Sequence, residues 1–386
     1  KSAAARIVTS VRESDTVARL GGDEFTVILE DLRDSDEAEL IAQKVLTAFS
    51  APLEIDGRQE VVITPSIGIS LYPEHGQLPT DLLKHADTAM YHAKDRGRNT
   101  FQIYDDAMDT QVRLRANLAS QLQRAMERKE LSLVFQPKMS LGENRITGAE
   151  ALLRWNNGTL GSIPPNTFIP IAEETGLIVP IGDWVLREAC RQIGRWSEAG
   201  LTMHTIAVNV SALQLFRGDL MRRLREILAE MRVPAHRLEL ELTESMLMAN
   251  PEQSIATLTQ IKALGVHLSV DDFGTGYSSL AYLKRLPIDT LKIDKTFVGD
   301  LTTDPDDEAI VSTVIMMAHS LGLDVIAEGV ETNDQLRYLT EQKCDEVQGN
   351  LISAPLDAER ILQFLLDRRD FGTKRGRERS LPAPSD

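Results

Sequence analysis

From residue 130 to 371, short apolar runs of strand character alternate with helix-patterned stretches of about 20 to 50 residues. Eight runs stand out: LVFQP, GAEALLRW, IAVNVS, LELELTES, HLSVDDF, TLKID, DVIAEGV and EVQGN. That count and rhythm predict a (β/α)8 barrel, and the stretch has the usual size of one, about 250 residues. The first interval departs from the rhythm. Only the polar turn around Gly142-Glu143-Asn144-Arg145 separates the first two runs, and strands joined so tightly must be antiparallel. The expected fold is therefore α/β, a barrel with an antiparallel first strand pair.

Before the barrel, TVARL and DEFTVILE read as two strands turning at Gly21-Gly22. A helix follows over roughly 36–49, then a hairpin from Pro52–Ile55 that turns at Asp56-Gly57 and returns over Val61–Leu71. A helix through TDLLKHADTAMYHAKDRG stops at Gly97, and this α+β region, 1–104, ends near Tyr104. Residues 105–129 read as a connecting helix, with Val112, Leu114, Leu118, Leu122 and Met126 near helical spacing. The stretch 372–386, GTKRGRERSLPAPSD from Gly372, is basic and nearly free of large apolar residues, and reads as a solvated, flexible tail.

Composition narrows the function. With 386 residues, two domains are expected. A formal charge of −16 argues against nucleic acid and against anionic membrane surfaces as partners. It also repels phosphate-bearing small molecules, so an anionic substrate needs bound cations to reverse the local field. Cys190 and Cys344 form no CxxC pair, which fits a reducing compartment. There is no run of 18 apolar residues and no signal-peptide core, so a soluble, cytoplasmic chain is expected, with any sensor or membrane segment lying before residue 1. No HExxH, no GxxxxGK[ST] and no GxGxxG after a strand occurs.

The candidate chemistry lies at the C-terminal ends of the predicted strands: Glu150, Asn209, Glu241, Asp271 with Asp272, Lys292, Glu328 and Gln348. In a (β/α)8 barrel these ends form the rim where active sites are built, so the residues should converge. Any one of these carboxylates alone is more often a helix cap or a solvated strand end; the whole set together is not. Five carboxylates in one place raise each other's pKa, and a divalent cation resolves the conflict. Oxygen ligands without His or Cys select Mg²⁺ or Mn²⁺, and the adjacent Asp271-Asp272 permits a second ion. Two such ions suit phosphodiester hydrolysis.

At these residues a resemblance enters. EALLRW from Glu150, Asn209 in VNVS, Glu241 and Glu244 in ELTES, DDFGTGYSSL from Asp271, LKID around Lys292, AEGVE from Ala327 and Gln348-Gly349 together resemble the EAL family of cyclic di-GMP phosphodiesterases. The likeness covers nearly all of 112–371. It implies a TIM-like barrel with an antiparallel strand that linearises cyclic di-GMP to pGpG in bacterial second-messenger signalling, in a homodimer formed through the barrel. It also implies Glu150, Asn209, Glu241 and Asp271 as ligands of a first ion, with Asp271 bridging to a second beside Asp272. Lys292 would orient the attacking water, Glu328 would act as base or second-ion ligand, and Gln348 would assist by hydrogen bonding. Gln136 in FQP and Arg154 match substrate-contacting positions, and Glu244 would anchor the 272–280 loop, where Gly274 and Gly276 flank Thr275. In the family that loop couples dimerisation to activity. Two departures stand out, Asn350 where the family usually has an aromatic and Asp357 where a second proline is common; modest effects on substrate packing are expected.

Gly21-Gly22-Asp23-Glu24-Phe25, TPSIGIS at 64–70 and ADTAMYHAKDRGRN at 86–99 resemble the later part of a GGDEF diguanylate cyclase domain, and Arg12 with Asp15 match its RxxD inhibitory site. The family's opening segment has no counterpart here, so this region reads as a partial domain without cyclase activity. Two alternatives stand beside the phosphodiesterase: a cyclic di-GMP receptor that does not cut its ligand, and a bifunctional cyclase and phosphodiesterase in a longer natural protein. Receptors of this type typically lose metal ligands, whereas every matched ligand is present here.

Overall fold

The computed structural model describes residues 2–55, 59–217, 219–275 and 280–368. The chain forms two compact units that divide between Asn117 and Leu118.

The first unit has a small apolar core of Ile7, Val45, Phe49 and Leu53. Helix Ser35–Phe49 starts where Asp34 accepts a hydrogen bond from the Glu37 amide at 3.0 Å, a side-chain N-cap. Strands Thr16–Gly21 and Glu24–Ile28 pair antiparallel across a turn in which Gly22 takes φ +51°, a conformation that costs glycine nothing. The strand expected over Val61–Leu71 is broken. Its ends are strands Gln59–Val61 and Ile67–Ile69, which pair with Leu53–Ile55 and Phe101–Ile103 respectively. Pro65 lies between them, and with no N–H to give a ladder it interrupts the run. At Gly68 an added Cβ would come within 1.9 Å of the Ala86 carbonyl, so this strand packs on helix Pro79–Asp95 through a bare backbone. The expected turn at Asp56-Gly57, the loop residue Gly276 and the tail at 372–386 lie outside the described residues.

The second unit is a closed barrel of eight strands: β1 Leu131–Ser140, β2 Arg145–Asn157, β3 Thr205–Asn209, β4 Leu238–Thr243, β5 His267–Phe273, β6 Thr290–Ile293, β7 Asp324–Ala327 and β8 Glu346–Gln348. From β2 through β8 each strand pairs parallel with the next, β1 runs antiparallel to both β8 and β2, and the ring closes there. The tight turn after β1 thus reverses one strand and leaves the other seven in the ordinary sense. Strand Gly161–Ile163, which the pattern did not suggest, extends the end of β2.

Alternation along β4 shows how the site is positioned. Leu238, Leu240 and Leu242 are fully buried in the apolar shell, which turns Glu239 and Glu241 to the barrel interior. Helix Asp106–Ala125 crosses the division between the units, and Leu118, Leu122 and Ala125 at its C-terminal end pack into the barrel's core, while Val112 and Leu114 are exposed. Among the described residues no helix is long and apolar enough to cross a membrane.

Candidate active site

Seven of the singled-out side chains meet at the C-terminal mouth of the barrel, around the ammonium of Lys292. Lys292 is completely buried on β6; its Nζ lies 2.6 Å from Glu328 Oε1, 2.9 Å from Glu241 Oε2, 3.1 Å from Asp271 Oδ1 and 3.9 Å from Glu150 Oε2. Glu150, on β2, accepts from Asn209 Nδ2 at 2.6 Å and from Gln348 Nε2 at 2.5 Å. Gln348 also donates to Gln136 Oε1 at 3.2 Å, which follows from the register that sets Gln136 opposite Glu150. Asn209 reaches Glu241 Oε2 as well, at 3.4 Å.

Asp272 stands beside this group, at a shift in the β5–β6 register and with φ +54°. A bulge of this kind re-aims side chains next to functional sites. Here it lets two adjacent aspartates serve one mouth, and the Asp272 amide donates to Asp271 Oδ1 at 3.0 Å. Glu244 opens the short helix Glu244–Ala249, and its Oε2 accepts from the Gly274 amide at 3.0 Å. Gly274 has φ +99° and an added Cβ would meet the Phe297 ring at 2.9 Å, so this loop entry requires glycine.

Other residues lie apart. Arg154 is half-buried and donates to the Leu153 carbonyl at 2.9 Å; burial lowers its pKa, partly offset by Glu150. Asn350 Nδ2 faces Glu331 Oε1 at 3.4 Å, and Asp357 accepts from the amides of Glu359 and Arg360 at the start of helix Ala358–Arg368. In the first unit, Arg12 pairs with Glu37, while Asp15 accepts from the Arg12 and Glu30 amides at 2.8 and 3.3 Å. The two members of the RxxD spacing therefore face different partners. Asp23 and Glu24 lie at the hairpin turn with Phe25 beginning the inward face of its strand.

Three participants were not singled out from the sequence. Asp294 caps helix Lys295–Gly299 and hydrogen-bonds Asp272. Lys138 on β1 and Glu239 on β4 form a buried ion pair directly beneath Glu241. Lys138 is two residues from Gln136 and Glu239 two from Glu241, so the period of a strand already puts each on the inward face.

Electrostatics follow from burial and crowding. Burial and the neighbouring Glu150 charge push Glu241 well above the usual carboxylate range. Burial works the same way on Glu150, but Lys292 and the Gln348 and Asn209 donors outweigh it and hold Glu150 low. Burial, Asp271 and Asp294 raise Asp272 to about 6, and burial with Asp271 and Glu150 raises Glu328 to about 7 against the pull of Lys292. Among the described residues no three Asp, Glu, His or Cys side chains form a ready cation cage; the carboxylates turn onto Lys292 instead. The donor set nevertheless fits a hard divalent cation. It is all oxygen, and Glu241 Oε1 and Gln348 Oε1 are buried without a hydrogen bond. The amides of Asn209 and Gln348 present an oxygen after a half-turn.

A pH dependence follows. A carboxyl whose folded pKa is raised keeps a proton that the unfolded chain releases, so stability is highest below the ordinary carboxylate range and falls as pH rises through the folded value. With Asp272 at about 6 and Glu328 at about 7, the chelated protein should melt at a lower temperature at pH 7.5 than at pH 5. Glu328→Gln should flatten that slope. Thermal unfolding in chelator across this window checks it, and a melting temperature that climbs with pH refutes it.

Comparison with known proteins places the chain. The EAL domain family matches residues 119–355, and the family described as Diguanylate cyclase, GGDEF domain, matches residues 1–100. The chain is 46% identical over 359 residues to the bifunctional diguanylate cyclase/cyclic di-GMP phosphodiesterase MucR of Pseudomonas aeruginosa, covering 93% of this chain and 52% of MucR. It is 42% identical to the cyclic di-GMP phosphodiesterase NbdA of the same organism, over 93% of this chain and 46% of that protein. The chain thus spans about half the length of the curated relatives it matches. Among solved structures, the Pseudomonas aeruginosa MucR phosphodiesterase in complex with c-di-GMP superposes with a TM-score of 0.62 at 46% identity, over 64% of this chain and 99% of that one. The chain belongs to the EAL domain family, with a GGDEF domain region ahead of its barrel.

Proposed function

We propose that the barrel is a cyclic di-GMP phosphodiesterase that opens one phosphodiester of the ring to give linear pGpG, using two Mg²⁺ or Mn²⁺ ions. The observation that carries this reading is the convergence of Glu150, Glu241, Asp271 and Glu328 on one buried point, with Asn209 and Gln348 beside them. The names of the relatives supply the ligand class.

Glu150, Asn209, Glu241 and Asp271 would hold one ion, and Asp271 with Asp272 a second. Bound there, the ions supply Lewis-acid polarisation of the phosphodiester, a lowered pKa for the attacking water and charge for the leaving oxygen. Lys292 donates to the water and orients it toward phosphorus. Glu328, whose pKa of about 7 suits a base at neutral pH, accepts its proton. The water oxygen bonds to phosphorus as one P–O ester bond breaks, and the freed ribose oxygen takes up a proton. Gln136 and Arg154 contribute donors for phosphate or guanine, Arg154 through its planar fork. The reading includes a homodimer through the barrel and a cytoplasmic setting.

Incubating the purified chain with cyclic di-GMP and Mg²⁺ should produce pGpG, followed by chromatography. Ca²⁺ should suppress turnover, because the larger ion takes more ligands at longer distances. Binding without hydrolysis would replace this reading with a receptor, and equal rates with both ions would defeat the two-ion geometry.

A further inference from the structure

The layer of the barrel beneath the site is ionic. Lys138 is 1% exposed, and its Nζ lies 2.5 Å from Glu239 Oε2 and 3.9 Å from Glu241 Oε1. Glu241 is thus flanked by two ammoniums, Lys292 at Oε2 and Lys138 on the Oε1 side. Barrel interiors are ordinarily filled by layers of branched apolar side chains. A buried ion pair is weak evidence for stability, because desolvation opposes the attraction and apolar residues of similar volume often do as well. Glu239 also lines a cavity of about 670 Å³ at the opposite mouth of the barrel, with Glu346, Asp324 and Arg145. The pair's place, in contact with one carboxylate of the cluster, is more informative than its contribution to folding.

We propose that Lys138, itself fixed by Glu239, is a positioning residue for the metal site of the reaction proposed above, holding the Glu241 carboxylate from the side opposite Lys292. Lys292, at 2.9 Å, is nearer to Glu241 than Lys138 is at 3.9 Å, and the two act on opposite oxygens. Without Lys138, both oxygens of Glu241 are drawn to Lys292, and the carboxylate is withdrawn from a divalent ion. Lys138 touches neither the dinucleotide nor the reacting atoms; it acts through Glu241.

The inference rests on the reading of the cluster as a cation site, and the test separates the two by measuring metal binding without turnover. Mn²⁺ is titrated into the full chain and free Mn²⁺ is read by electron paramagnetic resonance. Lys138→Met alone strands Glu239 in the interior, so the decisive variant is Lys138→Met with Glu239→Gln, which removes both charges together. Removal of an outer partner of a metal ligand typically weakens affinity about 10–100-fold. That loss is expected in the double variant while it melts near the wild-type temperature, with Lys138→Arg recovering most of the affinity. At saturating Mn²⁺, KM for cyclic di-GMP should stay unchanged while kcat falls. A folded double variant with wild-type Mn²⁺ affinity overturns the positioning role alone. A wild-type chain that binds no Mn²⁺ overturns the cation site and this inference together.

Discussion

Glu150→Ala is expected to reduce cyclic di-GMP turnover by well over about a hundredfold while leaving the fold intact. The magnitude follows from comparison: changing an outer-sphere partner of a metal ligand typically costs about 10–100-fold, and Glu150 stands among the proposed ligands themselves. Its loss also frees both amides now turned onto it, Asn209 Nδ2 and Gln348 Nε2, so two neighbouring groups lose their orientation at once. Stability should change much less. Glu150 raises the pKa of Glu241 and of Glu328 by its charge, so removing it relieves repulsion among buried carboxylates, while the attraction to Lys292 and the two hydrogen bonds that hold Glu150 low are given up. The expected signature is therefore loss of pGpG formation with a melting temperature in chelator close to that of the wild type. A near-native rate would remove Glu150 from the metal site, and unfolding would make its role structural.

How much of this was legible beforehand depends on which physical signal carried each element. The eight barrel strands were readable because period-two apolar runs and their spacing are local properties, and the short turn at Gly142-Glu143-Asn144-Arg145 fixed the reversed first strand for the same reason. Topology then brought Glu150 to Gln348, 198 residues apart, within one hydrogen bond. What spacing did not supply was side-chain direction. The carboxylates close on Lys292 instead of forming an open cage, an outcome decided by the balance of buried charges. Lys138 and Glu239 are not legible in the sequence because they sit beneath the rim, where an apolar layer is the ordinary expectation. Arg12 and Asp15 share a spacing but not a partner: the guanidinium meets Glu37 in the first turn of helix Ser35–Phe49, and Asp15 is occupied by backbone amides. Val61–Leu71 reads as one strand because its apolar composition hides the interruption at Pro65.

Lys292→Met is expected to destabilise the metal-free protein by about 3–5 kcal/mol, the usual cost of removing one partner from a buried ion pair. Lys292 is 0% exposed and lies within 3.1 Å of three carboxylates, of which Glu241 is fully buried and Asp271 and Glu328 keep only slight exposure, so water replaces the lost ammonium only in part. The carboxylates then escape their mutual repulsion by taking up protons, and the deficit should deepen as pH rises and protons become scarce. A divalent cation offers the other escape. With Lys292 gone, Mg²⁺ becomes the positive charge facing Asp271 and Glu328 and joins the more distant Lys138 at Glu241, and binding to the native state alone stabilises it by about 2.7 kcal/mol at a hundred times Kd. Mg²⁺ should therefore raise the melting temperature of the variant more than that of the wild type, whose ammonium already neutralises part of the cluster. Turnover should remain low even when the fold is restored, because the donor that orients the water is missing. Denaturant unfolding of both proteins, with chelator and with Mg²⁺, separates these effects. A variant as stable as the wild type in chelator would show that the carboxylates do not depend on this ammonium, and equal Mg²⁺ stabilisation of the two would show that lysine and cation do not share the same charges.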